Sequence, residues 1–223
     1  MNWLIITILS YFIFATVSLL DKYLLTSRIP NSKVYAFYIG IFGILVLVLA
    51  PFVGFYIPEK SQIALSLLAG AVFVCGLFWF YKALQFFETS RVVPAIGGLT
   101  PLFTFGLIYV FFSGKEALSS KEFIAFILLI LGSVLINFKK EKLINLKNVK
   151  FSLLAASFFS LSFVLTKYVY LALPFWTGFI WRSIGGFLMA ICFFIFFQRL
   201  KKKFLKKEKN FQKKQLPFSL QTK

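Results

Sequence analysis

The sequence predicts an all-α, polytopic membrane helix bundle of about seven transmembrane helices, arranged as a partial 5+5 inverted repeat. Three observations predict it. Hydrophobic residues make up 60% of the chain and charged residues 14%, whereas a water-soluble domain carries about 25% charged residues. The apolar residues fall in continuous runs that match the ~20 residues needed to cross a ~30 Å hydrocarbon core. The residues after the basic segment 139–150 repeat the opening of the chain, in the alignment given below.

The first span runs from about Trp3 to Leu20. It lacks the basic n-region and the A-x-A-like cleavage site of a secretory signal, and Asp21-Lys22 follow directly, so it reads as a retained helix. The second span covers about Val34 to Ile57, the third about Ser61 to Tyr81 and the fourth about Val92 to Ser113. A fifth is expected over Phe123 to Phe138, a sixth over Phe151 to Thr166 and a seventh over Phe175 to Gln198. Continuous runs exclude barrel strands, which alternate, and lipid requires every backbone group to be paired within the chain. The fifth and sixth runs are short, but Lys139, Lys150 and Lys167 flank them and can reach the interface. The organisation is therefore a five-helix unit (1–138), a basic linker (139–150, KKEKLINLKNVK), two further helices (151–198) and a basic, non-spanning tail (199–223).

A net charge of +18 would suggest nucleic acid in a soluble protein. Here the cations sit in the short connections and the tail, as they do against anionic headgroups, so no nucleic-acid partner is expected. The acidic residues Asp21, Glu59, Glu88, Glu116, Glu122, Glu141 and Glu208 each lie at or beyond the end of an apolar run. This pattern keeps carboxylates out of the bilayer core and leaves none for proton coupling. Lys22, Arg28, Lys33, Lys82, Arg91, the linker and the tail share one side of the membrane. Lys60, Lys115, Lys121, Lys167 and Arg182 belong to the other. The positive-inside rule then puts the N-terminus outside and the tail in the cytoplasm.

Enzyme chemistry has little to work with. The chain has no His, no carboxylate pair inside a run and no G-x-x-x-x-G-K-[ST] loop, so neither catalysis nor a cofactor is expected. Cys75 and Cys192 lie in apolar runs and read as small hydrophobes, unless packing brings them together as a disulfide.

The alignment that lays Lys22-Tyr23 on Lys167-Tyr168 also lays Phe14 on Phe159, Leu20 on Leu165, Gly40 on Gly185 and Phe42 on Phe187. The last two spans thus read as second copies of the first two. Five spans precede the second copy, and an odd number forces it into the membrane upside down.

Tyr81-Lys82-Ala83-Leu84-Gln85 closes the third span, and VVPAIGGLTPLFTFGLIYVFF forms the fourth after a turn. Lys115-Glu116-Ala117-Leu118 then precedes a fifth span that contains Gly132. In this order the chain resembles the EamA-type members of the drug/metabolite transporter superfamily. The resemblance covers one complete unit and the first two helices of a second. It implies a carrier that exports or exchanges small metabolites, such as amino acids or related polar compounds, by alternating access in a bacterial plasma (inner) membrane. Its partners would be the lipid bilayer and a small-molecule substrate. Family members are described with ten helices and cytoplasmic termini, so this chain departs from them in its shortened second unit and in its charge pattern. The alternatives are a truncated or degenerate carrier without transport of its own, and one half of a multi-chain assembly formed with a second copy or another membrane chain.

Candidate pathway residues fall in three groups. In the fourth span Pro94 and Pro101 share a face, with Gly97 and Gly98 between them and Thr100 and Thr104 alongside. Each proline frees a carbonyl, which is tolerable at depth only against protein or a cavity, so a broken helix is one reading and simple packing the other. At the end of the third span, Lys82 and Gln85 share a face near Trp79 and Tyr81, placed either to touch a polar substrate or to anchor the interface. Trp181-Arg182 lie one to two turns inside the seventh span, where the guanidinium either pairs or snorkels. Lys22 and Lys167 read as anchors, while Ala36/Gly40 and Gly186/Ala190 form small-xxx-small packing pairs.

Overall fold

A chain dissolved in lipid has to satisfy its own backbone, and every regular element among the described residues of this one is helical. The structure, a computed structural model, describes residues 2–29, 31–112, 124–128, 131–132 and 146–215. Its helices are α1 (Asn2–Ser27), α2 (Ser32–Phe42) running on into a 3-10 stretch (Gly43–Phe52), α3 (Lys60–Phe86), α4 (Thr89–Phe112), α5 (Leu146–Ala172) and α6 (Phe175–Gln215). Six helical segments among the described residues are long and apolar enough to cross a membrane: Leu4–Ser27, Ser32–Phe52, Lys60–Phe86, Thr89–Val110, Val149–Ala172 and Phe175–Phe196. The span expected over Phe123–Phe138 lies outside the described residues, apart from helical residues at 124–128 and 131–132.

Several ends differ from expectation. The first helix continues past Leu20 to Ser27, because Asp21 and Lys22 find partners inside the bundle and do not have to leave it. α2 begins at Ser32, where the Asn31 side chain accepts the Lys33 N–H at 3.0 Å. Its second half is wound as a 3-10 helix as far as Phe52, with Pro51 inside it. That tighter coil rises ~2.0 Å per residue against ~1.5 Å in an α-helix, so fewer residues complete the crossing. α5 takes up the end of the expected linker from Leu146, and α6 carries the expected tail as unbroken helix to Gln215.

α3 is the centre of the bundle. It starts with a capping box in which Glu59 and Gln62 satisfy each other's backbone N–H groups. It packs most extensively on α5 and then on α6, while α4 packs on α5 and α2 on α6. α5 runs antiparallel to α3: Phe151 faces Trp79 at 5.9 Å, Phe159 faces Phe73 at 5.5 Å, and the Ser162 hydroxyl donates to the Ala69 carbonyl at 2.8 Å. α2 and α6 are likewise antiparallel, with Phe37 stacked on Phe194 at 4.5 Å and Gly40 set against Ala190. Lipid tails are as apolar as leucine, so these contacts depend on close approach. A Cβ on Gly70 would collide with the Arg182 carbonyl, and one on Gly185 with the Leu67 backbone.

α1 is held only near its C-terminal end. Ser18, Asp21 and Leu25, at helical spacing, are buried, whereas every residue from Leu4 to Val17 is exposed. Such an apolar surface is what hydrocarbon accommodates.

Candidate functional site

The polar groups that the fold takes out of solvent mark the candidate site. Arg182 is carried by α6 at its crossing with α3. Because Gly70 has no side chain, the α6 backbone lies directly on α3, with the Arg182 carbonyl and the Gly186 amide both at Gly70. The side chain then crosses the Phe73 ring, with the guanidinium carbon 4.4 Å from the ring centroid. Phe73 is the middle residue of Lys60–Phe86, so the cation lies level with the middle of α3. Its Nε is buried and has no hydrogen-bond partner. Its electrostatic neighbour is Tyr170 of α5, and among the described residues no carboxylate lies within salt-bridge distance of it. Trp181 has a buried, unpartnered indole N–H as well, and its ring lies 5.9 Å from Phe55. A guanidinium is a planar fork of donors matched to a carboxylate, and here one face is covered by a ring while the Nε edge lacks an acceptor.

A second polar group lies toward the C-terminal end of α3. Asp21 is 7% exposed and accepts a hydrogen bond from the Tyr35 hydroxyl at 2.5 Å. Tyr35 packs edge-on against Tyr81, with ring centroids 4.7 Å apart. The expectation that all acidic residues lie at or beyond the ends of apolar runs therefore fails at Asp21, which is inside the α1 span and buried by α2 and α3. Lys22, expected to anchor at the interface, turns inward and donates from Nζ to the carbonyls of Leu84 at 2.6 Å and Phe87 at 3.0 Å. It thereby caps the end of α3, where carbonyls have no helical partner.

The expected pathway residues do not form one site. Trp79 and Lys82 meet each other: the Lys82 ammonium is 4.8 Å from the Trp79 and Phe151 ring centroids and 5.8 Å from that of Phe78. That cluster of rings ties α5 to α3. Gln85 is half-buried one turn further on, and Tyr81 faces Tyr35.

Pro94 and Pro101 lie within an α4 that remains one helix, so of the two readings open for them the broken helix is not seen. Hydroxyls supply polar contacts beside the prolines. Thr100 donates to the Ile96 carbonyl at 2.7 Å, and Ser160 of α5 donates to the Thr100 carbonyl at 2.8 Å. Thr104 is half-buried on the same helix. Of these candidates, Trp181 and Arg182 carry buried donors without a partner.

Asp21, Tyr35, Phe73 and Tyr170 were not singled out by sequence reasoning. The hydroxyl-rich stretch of α5, Ser157 to Ser162, carried the one usable signal, since Ser160 and Ser162 are fully buried and bond to neighbouring helices.

Compared with models of protein families, with curated proteins and with solved structures, the chain matches none.

Proposed function

We propose that this chain is a membrane carrier of small metabolites, amino acids or related polar compounds among them, which exports or exchanges them by alternating access in a bacterial plasma membrane. The observation that carries this reading is Arg182. A cation without a carboxylate partner, level with the middle of α3, is costly in a bilayer, and a bundle that only fills the bilayer has no use for it.

The senses of the helices favour the inverted repeat and the resemblance to EamA-type transporters. α1 ends beside the end of α3, where its Lys22 caps the last carbonyls, whereas α5 starts there. The pair α1–α2 and the pair α5–α6 therefore cross in opposite senses. α4 leads back from the end of α3 and runs in the same sense as α5, as a return crossing between them requires. With the N-terminus outside, the end of the bundle that holds Lys22, Lys33, Lys82 and Arg91 faces the cytoplasm.

A second reading, a partial carrier completed by a second copy or another membrane chain, is favoured by α1, whose residues from Leu4 to Val17 are exposed on every side. Proteoliposomes test the first reading directly. Protein reconstituted alone should accelerate the flux of at least one solute in a broad metabolite panel. Flux no faster than in protein-free vesicles would sink independent transport.

A further inference from the structure

We infer that Arg182 is an anion subsite and that its ligand carries a carboxylate on an aromatic or apolar body. The inference rests on the carrier reading above and sharpens it to a substrate class.

Three features lead to it. Phe73 covers one face of the guanidinium, which leaves the donors in its plane to recognise a ligand, and the Nε donor is buried without an acceptor. A carboxylate matches that fork with two parallel hydrogen bonds. The ring of Phe73 of α3 lies against the guanidinium, with the guanidinium carbon 4.4 Å from the ring centroid, and the next residue to Arg182, Trp181, packs on Phe55. An aromatic neighbour at the charged group favours a ligand whose remainder is apolar.

Among the described residues no carboxylate stands beside Arg182 to pair an ammonium group. Asp21 accepts from Tyr35, Glu59 caps the first turn of α3, and Glu88 lies 3.6 Å from Arg91. These are the acidic side chains described, and each is engaged elsewhere. Asp21 is also well removed, because Tyr81, in its cluster, lies eight residues beyond Phe73, about 12 Å along α3.

The probe pair is benzoate and benzamide, which share a shape and differ in charge, with benzylamine as the cation. Protein in phosphatidylcholine nanodiscs is titrated with each at matched ionic strength, and thermal unfolding is followed. Benzoate should raise the melting temperature of the wild type while benzamide, benzylamine and sodium chloride do not. Arg182→Gln should weaken the benzoate response about tenfold or more, the loss expected for a charge-assisted hydrogen bond, and Arg182→Lys should retain part of it. Arg182→Gln removes an orphaned cation and should fold, and the comparison of probes on the wild type needs no variant.

An equal response to benzamide, no response to benzoate, or a benzoate response unchanged in Arg182→Gln would each overturn the subsite. Loss of the benzoate response on adding phosphatidylglycerol would assign the anion to a lipid headgroup and overturn it too. Benzoate binding without flux of any solute would retire the carrier reading and leave the subsite. Flux of amines or neutral solutes with no benzoate response would do the reverse.

Discussion

The backbone carbonyl of Arg182 occupies the space in which Gly70 would carry a Cβ. The two helices that hold the candidate site thus touch through their main chains, and the depth of the guanidinium is set by that contact. Gly70→Ala should force α3 and α6 apart and lower stability by about 1–3 kcal/mol, the usual cost of overpacking. Thermal melting in detergent would read it. The open face of α3 offers a control, because Leu68→Ala at an exposed position should change little.

Arg182→Met should make the protein more stable while abolishing carboxylate flux. Replacing a buried cation that lacks a carboxylate partner by an apolar side chain removes a desolvation penalty of several kcal/mol. Melting and proteoliposome flux measured on the same preparation would separate the two effects, and a fall in both would assign Arg182 a structural role.

Tyr35→Phe removes the hydroxyl that Asp21 accepts from and leaves a buried carboxyl without that partner. A loss of about 1–3 kcal/mol is expected, as for other buried groups deprived of their partner. Asp21→Asn keeps an acceptor oxygen and should cost less. In a double-mutant cycle the two substitutions should be clearly non-additive, and additivity would mean that the bond contributes nothing.

Lys82→Met should destabilise the bundle by about 0.5–2 kcal/mol through loss of its contacts with Trp79 and Phe151, while Lys82→Arg preserves most of them. Transport per folded molecule should be unchanged by either. A selective loss of flux with normal melting would restore Lys82 to the pathway.

In a background lacking Cys75 and Cys192, a cysteine at Lys60 should react with a membrane-impermeant maleimide in intact cells, and one at Lys33 only after permeabilisation. The reverse pattern would invert the orientation assigned from charge.

The helical class and most of the spans were legible because run length and bilayer thickness decide them. What was not legible depended on contacts between distant residues. Asp21 looks like the end of a helix until Tyr35, on the next helix, is seen to satisfy it. Lys22 looks like an anchor until the end of α3 presents two carbonyls to it. Arg182 stood out as costly from its position in an apolar run. Whether it snorkels or stays buried depends on where α6 crosses α3, and a glycine on α3 decides that. The prolines of α4 left a broken helix and simple packing both open, because local propensity does not say which neighbours a helix will meet.

The one-sided attachment of α1 makes the thickness of the bilayer a variable of the protein. Leu4–Ser27 has 24 residues, about 36 Å of helix by its rise, against a hydrocarbon layer of ~30 Å. The excess has to be absorbed by leaning, and only the loose outer end is free to lean while Asp21 and Lys22 hold the other. Shorter-chain lipids should therefore tip this rod further over and longer-chain lipids raise it upright, with the rest of the bundle left in place.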